Sequence, residues 1–316
     1  GLEERGIKRN REWLSRYRRL ADQHLDSYGR KPVHSWFYAY DHRNRKVMAD
    51  LAQTVYDGYG EIEFHWHHAN DSNASFRAKL GEAIQWYNSY GSMIDSHGHV
   101  SFGFIHGNWS LDNSMGKSFC GVNRELDILK LAGCYADFTF PAFGSVAQPA
   151  QINSLYYAID NDGNKSYNTG EESRVGLANR RGLLMFQGPL GFRLNRKIFE
   201  FGAIERDSPA NRGRIDFWIS QNIIVQGRPE WIFIKIHTHG IQDSKVFFSK
   251  ETHDMFSYLE DKYGKGSYRL HYITAREAYN IVRAAEDGRT GDPDHYRNYH
   301  IKEPLNKQRP YKIAGN

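Results

Sequence analysis

Glu61-Ile62-Glu63-Phe64-His65-Trp66-His67-His68-Ala69-Asn70-Asp71 packs three histidines and three carboxylates into eleven residues. Its opening part reads as a buried β-strand. Side chains alternate along a strand with period two. Ile62, Phe64 and Trp66 therefore share one face, and Glu61, Glu63, His65 and His67 the other. His65 and His67 become neighbours on one rigid element, an arrangement suited to zinc or a similar divalent ion. The same residues would also serve as ordinary polar side chains on a half-exposed strand, and the spacing leaves both readings open.

The pattern recurs along the chain. Trp231-Ile232-Phe233-Ile234-Lys235-Ile236-His237-Thr238-His239-Gly240 is an apolar run ending in His-x-His. Such a run predicts a strand covered on both faces, as in a parallel sheet. Ser101 to Trp109 is a shorter version reaching His106, and Val33 to Asp41 ends in Asp41. Four strands thus deliver ligand or acid–base residues at their C-terminal ends. That is the end of the sheet where (β/α) barrels build their active sites.

Between these runs the period changes from strand to helix. Helices are expected around 44–56, 74–88, 123–132, 252–263 and 275–287, with further strands at 135–140, 154–159, 183–187, 214–219 and 268–273. Gly133 and Gly288 stand at helix stops, and Thr274 with Glu277 makes a capping box. The polar stretch Asp160 to Ala178 reads as a loop. Repeated β-then-α units predict a mainly parallel sheet with helical crossovers. The sequence reading is α/β, a single distorted (β/α) barrel over 33–288, preceded by a basic helical segment over 1–32 and followed by a C-terminal arm over 289–316. No internal repeat and no long linker divides it.

The 316 residues are 40% hydrophobic and 25% charged, enough apolar content for a packed core. Much of the aromatic content, 20 Tyr, 18 Phe and seven Trp, must be core, and an exposed remainder would suit stacking on sugars or bases. The formal net charge of +5 is uneven: Arg5, Lys8, Arg9, Arg11, Arg16, Arg18 and Arg19 crowd the first twenty residues. With Trp13, Leu14, Tyr17, Leu20 and Leu25 as an apolar stripe, they form an amphipathic helix whose basic face is either solvated or laid on an anionic polymer or membrane surface. RNP, zinc-finger and helix-turn-helix signatures are absent, which argues against a nucleic-acid partner. No run of 18 apolar residues exists, so no transmembrane segment is expected. No signal peptide opens the chain as given. Since Gly1 is not an initiator Met, that leaves the compartment open between cytoplasm and cell envelope. Cys120 and Cys134 are two ordinary thiols or a single bridge.

The order of Asp-ending strand, His-rich strand end, aromatic loop, Asp-containing strand and His-ending strand resembles the NodB-homology polysaccharide deacetylases. The span 33–288 also looks like a bacterial branch of polysaccharide-deacetylase-like proteins. Asp41 in Tyr38-Ala39-Tyr40-Asp41 looks like the family's first motif, and His65, His67 and His68 lie where its second motif supplies histidines. Gly103 to Trp109 and Tyr135 to Phe138 occupy the places of the groove-shaping motifs, and Ile234 to His239 is similar to the last. Two departures stand out. His42 follows Asp41 where the family has a second Asp before Gly. The histidines are two and three apart where the family spaces them by four, a spacing met only by His67 and Asp71.

The resemblance implies a distorted (β/α) barrel with one divalent metal, zinc first and cobalt or nickel as alternatives. His65 and His67 would hold it with Asp41, His68 or His106. The metal would activate a water, with Asp41 or Asp71 as general base. Attack falls on an N-acetyl group of a polysaccharide or oligosaccharide, a backbone N–H steadies the oxyanion, and His237 or His239 protonates the leaving amine. Asn108, Trp109 and Asp137 would contact the sugar, with Tyr40 and Trp66 as further stacking rings. Asp137 equally suits a loop cap, and His237 and His239 a satisfied hydrogen-bond network. Two other classes fit the same residues: a carbohydrate-binding relative without the chemistry, and another metal-dependent hydrolase, such as a phosphoesterase or glycosidase, on a similar barrel.

Overall fold

Strand β1 (His34–Ala39) pairs in parallel with β2 (Gly60–Trp66), and β2 with β3 (Phe102–His106), so that Trp66 lies opposite His106. The computed structural model describes residues 2–194, 196–240 and 244–310. β4 (Cys134–Asp137) continues the row, and a bulge makes Tyr135 an extra residue opposite β3. The sheet is completed by β5 (Ser154–Ala158), β6 (Glu171–Glu172) and β7 (Leu183–Gln187) in the order β1-β2-β3-β4-β7-β5-β6. The first five members of that row are parallel, and β5 and β6 are antiparallel to their neighbours. A hairpin of β8 (Gly191–Arg193) and β9 (Ile198–Glu200) stands apart.

The helices are α1 (Leu2–Ala21), α2 (Arg45–Tyr56), α3 (Asn73–Asn88), α4 (Glu125–Leu131), α5 (Arg212–Ser220), α6 (Ser244–Phe247), α7 (Lys250–Tyr263), α8 (Ala275–Glu286) and α9 (Leu305–Gln308). Side-chain caps set the starts of α2, α3, α5 and α8. Asn44 accepts from the Lys46 and Val47 amides, Ser72 with Ser75 and Thr274 with Glu277 form capping boxes, and Asn211 accepts from Arg214 N.

The result is a mixed α/β fold around a parallel-rich sheet with a core on each face. Alternation along the strands decides which residue goes where. Ile62, Phe64, Trp66, Phe102 and Phe104 pack with Met48 and Leu51 of α2, Phe76 and Leu80 of α3, and Leu126 and Leu129 of α4. Leu155, Tyr157, Leu184 and Phe186 pack with Trp231, Phe233 and Tyr279 and Val282 of α8 on the other side. On that second side β2 presents Glu61 and Glu63. Glu61 is doubly bonded by Arg276 of α8 at 2.8 and 2.9 Å and by Lys307 at 2.8 Å. Glu63 takes the Gly103 amide at 2.5 Å and the Tyr135 hydroxyl. Burial pushes Glu63 up to about 8 despite those donors.

Three segments expected as strands fold otherwise. Residues 214–219 lie in α5, where Ile215 and Trp218 face inward with helical spacing. Residues 231–237 form no strand ladder: Phe233 N donates to Ile223 O, and only His237 bridges, to Ala203. Residues 268–273 form no strand. Leu25, expected in the apolar stripe of the first helix, is exposed, while Trp13, Leu14, Tyr17 and Leu20 are buried. Part of the basic face is consumed by α2, since Arg11 pairs with Asp50 at 2.7 Å and Arg18 with Asp57 at 2.9 Å. Cys120 and Cys134 are both free and buried, so the bridge is ruled out. The C-terminal stretch lies on the domain through Arg297, bonded to Glu277 at 2.9 Å and Asp294 at 2.6 Å, and through Lys307. The last six positions of the expected arm, and Gly1, fall outside the described residues. Among the described residues no helix is long and apolar enough to cross a membrane.

Candidate metal centre

Because β1 to β4 run in parallel, their C-terminal ends lie side by side. Asp41 follows β1, His65, His67 and His68 close β2, His106 ends β3 and Asp137 ends β4. The structure sorts these residues into two groups that offer ligand atoms within 4.8 Å of one another, one exposed and one buried.

The exposed group is Asp41, His42 and His67. Asp41 Oδ1 accepts the His67 amide at 3.1 Å, and Oδ2 lies 3.1 Å from His67 Nδ1 and 3.3 Å from His42 Nε2. Partial burial opposes ionisation of Asp41, but His67 outweighs it and brings the carboxyl down to about 2. His65 stands beside His67, ring centroids 4.4 Å apart, as the strand alternation predicts. It belongs to neither group. Its Nδ1 is 3.0 Å from Ile105 O, and burial together with His67 lowers it to about 4. His239 is near enough to act on His65 electrostatically, and its Nδ1 is 2.5 Å from Glu205 Oε1. His237 is half-buried; desolvation and the nearby Lys235 push it down to about 3, so it is neutral.

The buried group is His68, His106, Cys120 and Glu125. These four lie close enough together to hold a metal ion. His68 Nε2 is 2.9 Å and His106 Nε2 3.7 Å from Glu125 Oε1, and Cys120 Sγ is 3.3 Å from Oε2. Burial alone would raise Glu125; His106 and His68 reverse that and hold it below the ordinary range. Burial and Glu125 push the Cys120 thiol up. Glu125 reaches this place because the chain after β3 makes a tight excursion. Asn108, Trp109, Asp112 and Asn113 all have positive φ, and the Asp112 amide donates to Glu125 Oε2 at 2.6 Å.

The remaining expected residues separate. Asn108 and Trp109 are exposed, next to His67 through Gly107. Asp71, expected as an alternative base, is buried and held by Lys79 and Ser75, both at 2.7 Å. Asp137, expected at the sugar, is buried instead. It accepts from Thr139 N at 2.9 Å and Thr139 Oγ1 at 2.7 Å, and Thr139 Oγ1 accepts the His106 amide. Lys235 points into the ends of β4 and β7. Its ammonium donates to Phe138 O at 2.9 Å, Phe186 O at 2.7 Å and Phe140 O. Burial lowers Lys235 and raises Asp137, each partly offset by the other's charge.

Sequence reasoning passed over His42, Cys120, Glu125, Glu205 and Lys235. One signal was available for Glu125. It sits three residues after Val122 and four before Leu129, on the apolar face of α4, where a carboxylate needs a buried partner. Compared with family models, with curated proteins and with solved structures, the chain finds no match in any of the three.

Proposed function

We propose that this chain is a metal-dependent hydrolase that removes acetyl groups, N-acetyl in the first instance, from a bacterial polysaccharide or oligosaccharide. The observation that carries the reading is the open Asp41–His42–His67 group at the C-terminal ends of a parallel sheet, with His65 beside His67 and the Glu205-paired His239 close enough to His65 to act on it electrostatically. On this reading the fold is a distorted (β/α) barrel, with the 231–237 segment standing where a closing strand would run.

A carboxylate and two imidazoles make a usual donor set for catalytic zinc, leaving a coordination position open. Cobalt or nickel would fit the same donors. Once held there, a divalent ion lowers the pKa of water and polarises an acyl carbonyl. Asp41 is assigned as a ligand rather than the base, because its oxygens already face His67 and His42. His239 carries the proton. Its Nδ1 is committed to Glu205, which leaves Nε2 to take a proton from attacking water and return it to the leaving amine. Neutral His237 lies beside it, ring centroids 6.1 Å apart. Trp109, exposed beside the site, offers a ring to the sugar and Asn108 an amide. Arg5, Lys8 and Arg9 stay exposed on α1 as an edge for an anionic polymer. Such a substrate fits a protein of the cytoplasm or the cell envelope.

The test is metal content together with acetate release from N- and O-acetylated oligosaccharides. Metal-dependent acetate release that His67→Ala abolishes is expected. A metal-loaded protein that binds oligosaccharide yet releases no acetate from any acetylated glycan would instead be a carbohydrate-binding relative, and turnover confined to aryl phosphates would make it a phosphoesterase.

A further inference from the structure

The buried quartet at the ends of β2 and β3 carries donors that the proposed hydrolysis does not use. We propose that His68, His106, Cys120 and Glu125 form a second, closed metal site that takes zinc and fastens the 107–125 excursion to the sheet.

Four observations converge on it. The first is spacing. Zinc–ligand distances of about 2.0–2.3 Å place neighbouring corners of a tetrahedron about 3.3–3.7 Å apart. The four ligand atoms lie within 4.8 Å of one another; His106 Nε2 is 3.7 Å from Glu125 Oε1 and Cys120 Sγ 3.3 Å from Oε2, while His68 Nε2, at 2.9 Å from Oε1, would have to move out by a few tenths of an ångström. The second is the state of the outer ring nitrogens. Metal-bound imidazoles usually give their other N–H to a carboxylate or a backbone carbonyl. His106 Nδ1 is 2.5 Å from Gly107 O, whereas His68 Nδ1 lies 3.3 Å from Asp71 Oδ2 without hydrogen-bonding it; both Nε2 atoms face Glu125. The third is an unmet bond. His106 Nε2 is fully buried and has no hydrogen-bond partner. A proton on His68 Nε2 would satisfy its own contact with Glu125 and still leave His106 Nε2 unbonded. The fourth is charge. A thiolate and a carboxylate with two neutral imidazoles balance a divalent cation in a place closed to water.

Four protein donors complete a tetrahedron, so no position remains for substrate and the site is structural. Its effect is local. Asn108, Trp109, Asp112 and Asn113 hold positive φ between β3 and Cys120; Asn and Asp adopt it readily, but for Trp109 it persists only where surrounding structure enforces it. An ion tying Cys120 and Glu125 to His68 and His106 supplies that enforcement and fixes Trp109 where the sugar would lie.

The test uses the full chain, stripped with a chelator and reloaded with cobalt. A thiolate-to-cobalt charge-transfer band is expected in the near ultraviolet. His67→Ala, which empties the exposed group, keeps the band; Cys120→Ser loses it. Should Cys120→Ser fail to fold, the Cys134→Ser chain leaves Cys120 as the one thiol, and its alkylation is followed with and without zinc in the His67→Ala background. Zinc at 100 times its Kd should slow that alkylation about a hundredfold. Cobalt-loaded protein without the band, or a Cys120 alkylation rate that zinc leaves unchanged, overturns the proposal and leaves a plain hydrogen-bond network. Because the readout is the thiolate, loss of the hydrolase reading would not affect it.

Discussion

The Cβ that Gly107 lacks would stand 2.1 Å from Cδ2 of the His67 ring and 2.8 Å from its Cα. His67 therefore reaches Asp41 across a floor that only glycine leaves open. Gly107→Ala should displace the ring and the His67 backbone just beyond β2, and so part His67 from Asp41. Loss of a group that orients a metal ligand typically costs 10–100-fold in affinity, and about that loss is expected at the exposed group. Metal titration alongside circular dichroism measures it. Unchanged affinity would place His67 outside the site.

His239 and Glu205 act as a pair if the proton passes through His239. His239→Ala should lower amide turnover by about 10²–10⁴-fold, the usual contribution of general acid–base catalysis. Activated aryl esters, whose leaving groups need no proton, should suffer less. Equal losses on both substrates, read from kcat/KM, would assign His239 to binding instead.

Glu63 makes stability depend on pH. Unfolded, it ionises near 4.5; in the fold, burial holds the proton up to about 8. The fold favours the protonated form, so this contribution is full below 4.5 and is lost as pH rises towards about 8, by about 1.4 kcal/mol per unit. Glu63→Gln keeps the neutral form at every pH. Its urea midpoint should gain on the parent steadily between about pH 5 and pH 8. A constant difference across that window would show that Glu63 is ionised in the fold.

Arg276 is the main partner of Glu61, and both are buried. Arg276→Leu leaves that carboxylate with Lys307 and the Thr274 hydroxyl and should cost about 3–5 kcal/mol in urea unfolding. Adding Glu61→Leu should recover part of the loss. A double variant less stable than Arg276→Leu would mean that the apolar pair packs worse than the bare charge.

Elements with an unambiguous period were legible in the sequence. Ile62, Phe64 and Trp66 announce β2, and Phe76 and Leu80 announce α3. α5 misled because Ile215, Phe217 and Ile219 alternate like a strand, while the fold buries Ile215 with Trp218 at helical spacing. The run at 231–237 looks like a covered strand, yet Lys235 within it turns to carbonyls rather than to a neighbouring ladder. In the site, His67 and Asp41 were readable because they follow within two residues of the ends of β2 and β1. Cys120 and His42 were not, since they arrive through turns whose direction no periodicity encodes. Four left-handed residues other than glycine between β3 and Cys120 leave no pattern to read.

The alternation in β2 has a consequence for how this protein can change. A slip of one residue against β1 and β3 would exchange Ile62, Phe64 and Trp66 with Glu61, Glu63 and His65, turning every side chain to the opposite face. The apolar residues thus fix the address of the polar ones, and neither set can drift alone. Insertions and deletions are barred from the strand. Variation in what the site accepts has to come from 67–71 and 107–125, beyond the last paired residues, where a change in length no longer transposes the core.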